Sequence, residues 1–325
     1  MKTILKSLLL ATLACASVVA GAQDYPTKPI RLLVGFAAGG PTDVIGRIIA
    51  QDMTSQLGQS VIVENKTGAN ALIATQEGKR ATPDGYTILM TTLSHNVNAI
   101  LMADKKPYEP IADFAPVSLV CYLPLVMVTA YESPFKSVQD VIKAARANSG
   151  GVSYASAGNG GSAHLAAALV ATQSGTQMIH VPFRGNAPAL TEVIAGRVSF
   201  MFYPMVGIAD QVEKKRLKAL AVSTEKKHPD YLGVPTMAES GFPGFEQYTQ
   251  GLGIVAPKGT PPAIIDKLNK AIRASLAKPE TKEKLKQLGA ITEGGTTPAE
   301  FATWLKGDAE RWQKVIKAAN VKAEE

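Results

Sequence analysis

Twice along this chain a short β-forming run ends in a glycine-rich turn that opens straight into a helical segment. The first is Ile30–Val34, followed by Gly35-Phe36-Ala37-Ala38-Gly39-Gly40-Pro41-Thr42-Asp43. The second is Val152–Ala155, followed by Ser156-Ala157-Gly158-Asn159-Gly160-Gly161-Ser162-Ala163-His164. A strand that turns into a helix within a few residues must lay that helix back over a sheet, which confines the chain to α/β architectures.

The segments around both turns keep the same rhythm. After the first, Val44, Ile45, Ile48, Ile49, Met53 and Leu57 share one helical face, and Gly58 closes the helix. Val61–Val63 predicts a strand, 69–80 a helix, Pro83-Asp84-Gly85 a turn and 86–90 a third strand. In the second series, strands are predicted over 125–128, 152–155, 178–181, 198–202 and 217–222, with helices over 138–147, 162–174 and 187–195. A strand at 253–255 and helices over 263–276, 279–288 and 298–319 complete the chain. Thr297 is the expected N-cap of the last helix, with Pro298 in its first turn. The expected fold class is therefore α/β, with two doubly wound parallel lobes. Residues 24–124 with 225–325 would form one lobe and 125–224 the other. Two crossings make a hinge, and a hinge between α/β lobes makes a cleft.

The first 22 residues read as an export signal. Lys2 and Lys6 precede an apolar run from Leu8, and Ala20-Gly21-Ala22 is a small-x-small cleavage site. An N-terminal helix of the fold is the lesser alternative, and acylation at Cys15 meets a poor lipobox in Thr12-Leu13-Ala14. No later run has 18 uninterrupted apolar residues, so the exported chain is expected to be soluble. Of the net charge of +7, the leader carries two. The rest is dispersed, with no aromatic interleaving and no nucleic-acid motif. After cleavage Cys121 alone remains, in an apolar run, and reads as a buried thiol.

A glycine turn at a helix N-terminus exposes backbone N–H groups and can hold an anion, or it can be a tight connection and nothing more. Pairing changes the weight. Two such turns at the carboxyl edges of two sheets could clamp one anion from both sides. The candidate contacts are Phe36, Ala38, Gly39, Gly40, Thr42 and Asp43 from the first turn. From the second come Ser156, Ala157, Gly158, Gly160, Ser162 and His164. Asp43 would repel an anion, and could instead accept hydrogen bonds from its helix or from a polar ligand group. Thr92 and Ser94, in the stretch Thr91–Asn96, offer small polar groups after the third strand. Arg184 and Gly185 follow another strand, where an arginine can bind a carboxylate bidentately or make a surface ion pair. Tyr203 ends a further strand and could cover a flat ligand or simply pack.

Enzyme motifs are incomplete. Gly158 begins a G-x-G-x-x-A sequence, but no acid ends the following strand, which runs Val181-Pro182-Phe183-Arg184. The segment Gly160–His164 lacks the last glycine of G-x-S-x-G, no P-loop lysine follows either turn, and the four histidines have no metal spacing. No cofactor and no metal are expected.

Further stretches carry a resemblance: Tyr25-Pro26-Thr27-Lys28-Pro29-Ile30, Val63–Ala69, Pro83–Thr87, Val181–Gly185, Leu220–Ser223, Val234–Gly241 and Ala256–Pro261. With the two glycine turns, in this order, they resemble the substrate-binding proteins of tripartite tricarboxylate transporters, the Bug receptors. Ala38 stands where that family more usually has proline. Ser199 and Tyr203 depart from its acid and its small or acidic residue. The resemblance implies a type II periplasmic-binding fold closing like a venus flytrap, a periplasmic location and no enzymatic activity. It also implies a carboxylate held by backbone groups and water from the two turns, and delivery to an integral membrane permease. A sensor-kinase partner is the alternative, an exported enzyme a third reading, and a monomer is expected. Family ligands include acidic amino acids, di- and tricarboxylates and aromatic carboxylates; Phe36 and Tyr203 point toward a flat or aromatic monocarboxylate here.

Overall fold

The computed structural model describes residues 25–105 and 107–322. The expected export signal lies outside them. The strands form two five-stranded sheets. The first holds β1 (Ile30–Val34), β2 (Val61–Asn65), β3 (Thr87–Thr91), β4 (Phe114–Leu123) and β10 (Gln250–Pro257), in the order β2-β1-β3-β10-β4. The second holds β5 (Leu125–Ala130), β6 (Ser153–Ser156), β7 (Ile179–Pro182), β8 (Phe200–Pro204) and β9 (Leu217–Val222), in the order β7-β6-β8-β5-β9.

The sheets are mixed rather than purely parallel as expected. β1 is parallel to β2 and β3, and β6 is parallel to β7 and β8. β10 is antiparallel to β3 and β4, and β5 is antiparallel to β8 and β9. In both sheets the antiparallel strand is the first one laid down after the chain crosses from the other sheet. No crossover helix returns the chain to the starting edge there, so the direction open to it is antiparallel.

Helix α1 (Pro41–Leu57) follows β1. It buries Ile45, Ile49 and Met53 against Ile30, Leu32 and Met90 of the first sheet. Helix α2 (Leu72–Arg80) follows β2, and α3 (Ser94–Leu101) follows β3. On the second sheet, α4 (Val138–Ala147) and α5 (Ser162–Ser174) pack over Phe200 and Phe202, with α6 (Asn186–Ile194) and the short α7 (Ala209–Glu213) beyond. The segment between β9 and β10 corrects the expected lobe boundary at 224/225. Met237, Phe242 and Phe245 are in the core over Phe200 and Phe202, and Tyr231 packs with Val126 and Met201. These side chains are bulky, and the second sheet is where they lose water.

The C-terminal helices are α8 (Pro262–Ala277), α9 (Pro279–Gln287) and α10 (Pro298–Ala318). Thr297 caps α10 as expected. Its hydroxyl accepts from Glu300 N–H at 3.3 Å, and the Glu300 carboxylate accepts from Thr297 N–H at 2.8 Å. A Cβ on Gly253 of β10 would lie 2.1 Å from the Phe301 ring, so that glycine lets α10 approach the first sheet. Further along, Trp312, Val315 and Ile316 of α10 pack with Leu93 and Val97 beside the first sheet and Leu165 of α5 over the second. One helix thus touches both halves. Among the described residues no helix is long and apolar enough to cross a membrane.

Candidate functional site

The first glycine turn connects β1 to α1. Gly39 has φ +77° and Gly40 is the N-cap without a side-chain cap bond, so backbone groups line the turn. Asp43 is 2% exposed and fully engaged. Its carboxylate accepts from Gly39 N–H at 2.9 Å, Arg47 Nε at 2.9 Å and Asn65 Nδ2 at 2.8 Å. Burial alone would raise its pKa; the bonds from Arg47, Gly39 and Asn65 outweigh it, and the pKa is lowered. Asn65 Nδ2 also reaches Phe36 O at 2.9 Å. Asp43 therefore holds the turn in shape from behind. Ala38 and Gly39 are exposed at its tip, and Thr42 is buried.

The second turn connects β6 to α5 and is braced by rings. The imidazoles of His164 and His180 stack 3.8 Å apart and 10° from parallel, and Tyr154 lies 5.2 Å from His180. His164 Nδ1 accepts from Gly160 N–H at 2.9 Å, which fixes the neutral ring with its proton on Nε2. Burial, then His180, lowers the His164 pKa to about 3; burial lowers that of His180 to about 4. Ser156 Oγ lies 2.6 Å from His180 Nε2, the spacing of a nucleophile and its base. Yet Ser156 is 0% exposed, and its hydroxyl is tied to Gly158 N–H at 3.1 Å and Gly158 O at 2.9 Å. No face is open for attack, and the group acts as a brace.

Between the two turns sits a third segment, expected from its sequence to start a helix at residue 69. Ala69, Asn70 and Ala71 have φ of 45°, 51° and 69°, so α2 begins only at Leu72. Left-handed backbone costs roughly 1–2 kcal/mol per non-glycine residue. Side chains hold it: Asn98 Nδ2 donates to Asn70 O at 2.8 Å and Ser94 Oγ to Asn70 Oδ1 at 2.8 Å. Ala71 occupies the space that a side chain on Gly35 would fill. On its other side Asn70 faces the second turn, because a Cβ on Gly158 would lie 3.6 Å from Asn70 Cβ. A Cβ on Gly185 (φ +130°) would lie 3.4 Å from Ala37 Cβ of the first turn. Segments of the two sheets therefore meet at these turns.

A cavity of about 330 Å³ opens at this meeting. Ala69, Asn70, Leu72, Asn98, Leu101 and Met102 form the wall on the first sheet's side. Ala157, Gly158, Asn159, Pro182, Phe183 and Arg184 form the opposite wall. Arg184 is exposed, and among the described residues no carboxylate pairs with it.

Of the sequence candidates, Ala157, Gly158 and Arg184 line this cavity. Phe36, Ala38, Gly39 and Gly40 belong to the neighbouring first turn. Gly160 lies against Val97 and Leu101, and Gly185 against Ala37. Thr92 accepts from Ser94 N–H at 3.2 Å, and Ser94 braces Asn70; both are frame rather than wall. Ser162 is buried at the start of α5. Tyr203 is 5% exposed within the second sheet's core beside Met201, and burial pushes its phenol up to about 12. Asn70, Asn98, Leu101 and Met102 also line the cavity and were not among the sequence candidates. For Asn70 the signal is an asparagine between two small residues after a strand, a composition that tolerates left-handed backbone. Cys121 is buried as expected, with its thiol pushed up to about 12 by desolvation.

Residues 45–321 match the family described as tripartite tricarboxylate transporter family receptor. The chain is 41% identical over 293 residues to the UPF0065 protein in the tcbD-tcbE intergenic region of Pseudomonas sp. (strain P51), covering 90% of this chain and 86% of that one. It is similar to the solved structure of the periplasmic binding protein BugD: 35% identity, TM-score 0.87, 92% of this chain and 100% of that one. It is also similar to Rpa4515 of R. palustris, solved with adipate: 31% identity, TM-score 0.87, 92% and 99%. Two five-stranded α/β halves with a cavity between them, and a family match over most of the chain, lead to one conclusion: this protein belongs to the tripartite tricarboxylate transporter receptor family.

Proposed function

We propose that this protein is a periplasmic solute-binding protein that captures a small organic carboxylate between its two halves and delivers it to a tripartite tricarboxylate-type membrane permease. It reaches the periplasm through the N-terminal signal and works as a monomer without enzymatic turnover. The observation that carries the reading is the cavity of about 330 Å³, walled from both sheets, with carboxamides, turn backbone and an unpaired arginine but, among the described residues, no acidic side chain. An anion meets donors there and no repelling charge. A site shared by two halves connected by two crossings also couples binding to closure, because the ligand touches both walls only when they approach. In the wider site Phe36 and Ala38, beside the exposed tip of the first turn, are further candidate contacts, while the Gly39 and Gly160 N–H groups are spent on Asp43 and His164. Adipate bound to Rpa4515, a protein of the same fold and similar sequence, supports the ligand class.

The test is titration calorimetry of the purified, signal-free protein with a panel of mono-, di- and tricarboxylates, alongside mass spectrometry of small molecules released on denaturation. Micromolar binding, about −8 kcal/mol, of at least one carboxylate is expected. Absence of binding across the panel, or chemical conversion of the bound acid, sinks the proposal.

A further inference from the structure

We infer that the ligand is a carboxylate with an apolar body and no ammonium group, and that Arg184 is its counter-charge. The inference rests on the receptor reading above and narrows its ligand class.

Three features of the cavity carry it. Leu72, Leu101 and Met102 on one wall and Phe183 on the other give it hydrocarbon surface on both sides. Such walls gain from covering an apolar body and have nothing to offer a ring of hydroxyls or three carboxylates. Among the described residues its one formal charge is the exposed Arg184, whose guanidinium can hold a carboxylate through two parallel hydrogen bonds. No aspartate or glutamate among the described residues lines it. Asp43, the acid of the first turn, is 2% exposed with its oxygens engaged by Gly39, Arg47 and Asn65. An amino acid's ammonium would therefore lose water and find only neutral carbonyl oxygens, while the guanidinium repels it. Asn70, Asn98 and Asn159 are neutral and can serve the ligand's polar end without demanding a charge.

Matched pairs differing by one ammonium group provide the test: 3-phenylpropanoate against L-phenylalanine, and adipate against L-2-aminoadipate, with citrate as a third ligand class. Calorimetry of the full mature chain is expected to show at least one ammonium-free acid binding about a hundredfold more tightly than its amino partner, with citrate weak. Arg184→Gln should weaken that acid tenfold to a hundredfold, the loss of a charge-assisted hydrogen-bonded pair. Arg184→Lys should recover part of the affinity. Because Arg184 is exposed, the thermal midpoint of each variant without ligand should match the parent, which separates lost binding from lost folding. Equal binding of the amino partners, binding of citrate alone, or an unchanged affinity in Arg184→Gln overturns the inference and leaves a carboxylate receptor standing. Binding of none of the five compounds overturns the inference and counts equally against the receptor reading.

Discussion

At the scale of single residues, the site depends on side chains that do not face the cavity. Asp43, Ser94 and His164 each spend their polar atoms on backbone or side chains of the turns, holding conformations that would otherwise relax. Gly160 shows how little room remains. Its φ is +73°, and an added Cβ would lie 2.8 Å from Val97 and 2.9 Å from Leu101. Gly160→Ala is expected to cost about 1–3 kcal/mol in chemical denaturation, through left-handed strain and overpacking, and to weaken ligand binding with it. The histidines make a separate prediction. Burial lowers the pKa of His95 to about 4, of His164 to about 3 and of His180 to about 4, and that of His228 is lowered too. These folded-state values lie below the ordinary 6.5, so below pH 6.5 protons bind the unfolded chain first. Their contribution to stability is intact above pH 6.5 and is lost as pH falls toward 4. In that window each fully buried histidine adds a slope of up to about 1.4 kcal/mol per pH unit. The thermal midpoint should therefore drop between pH 6.5 and 4, and His95→Phe should flatten the drop. A flat midpoint across that range would contradict it.

At the scale of elements, α10 carries more than the role of a closing helix. It starts with a capping box, presents Phe301 and Leu305 to the first sheet, and ends with Trp312, Val315 and Ile316 against α3 and α5. Thr297→Ala should cost about 1 kcal/mol, the usual worth of an N-cap. Trp312→Ala should cost about 3–5 kcal/mol, because it empties a site that is 1% exposed and removes one of the donors to the buried Asp308 carboxylate, the Trp312 Nε1 at 3.0 Å. Urea denaturation distinguishes the two magnitudes. The sequence announced α10's cap and length, because caps and apolar periodicity are local. It did not announce α3, whose eight residues Ser94–Leu101 are rich in polar groups that pair only with distant partners. Asn96 Nδ2, for example, donates to Asp308 at 2.9 Å, across 212 positions.

At the scale of the whole molecule, two sheets, two crossings and one shared helix make a molecule whose halves are joined but not fused. Binding between them should stabilise the fold by mass action. A ligand at one hundred times its dissociation constant should raise the unfolding free energy by about 2.7 kcal/mol, read as an upward shift of the thermal midpoint. Trp312 lies among residues of both halves, so closure should also change its fluorescence; a ligand that stabilises without any spectral change would argue that the halves stay fixed.

The sequence by itself determined the α/β class, both glycine turns at strand ends, the helical tail and the family, because each is written in neighbouring residues as periodicity, caps and short motifs. Tertiary structure alone decided the antiparallel strand in each sheet, the packing of Tyr231 to Phe245 on the second sheet, and the left-handed turn at Asn70. It also decided that Asp43 and Ser94 brace the site while Leu101, Met102 and Arg184 line it. Those outcomes depend on which surfaces lose water together and which polar groups find partners far along the chain, and no local pattern encodes either.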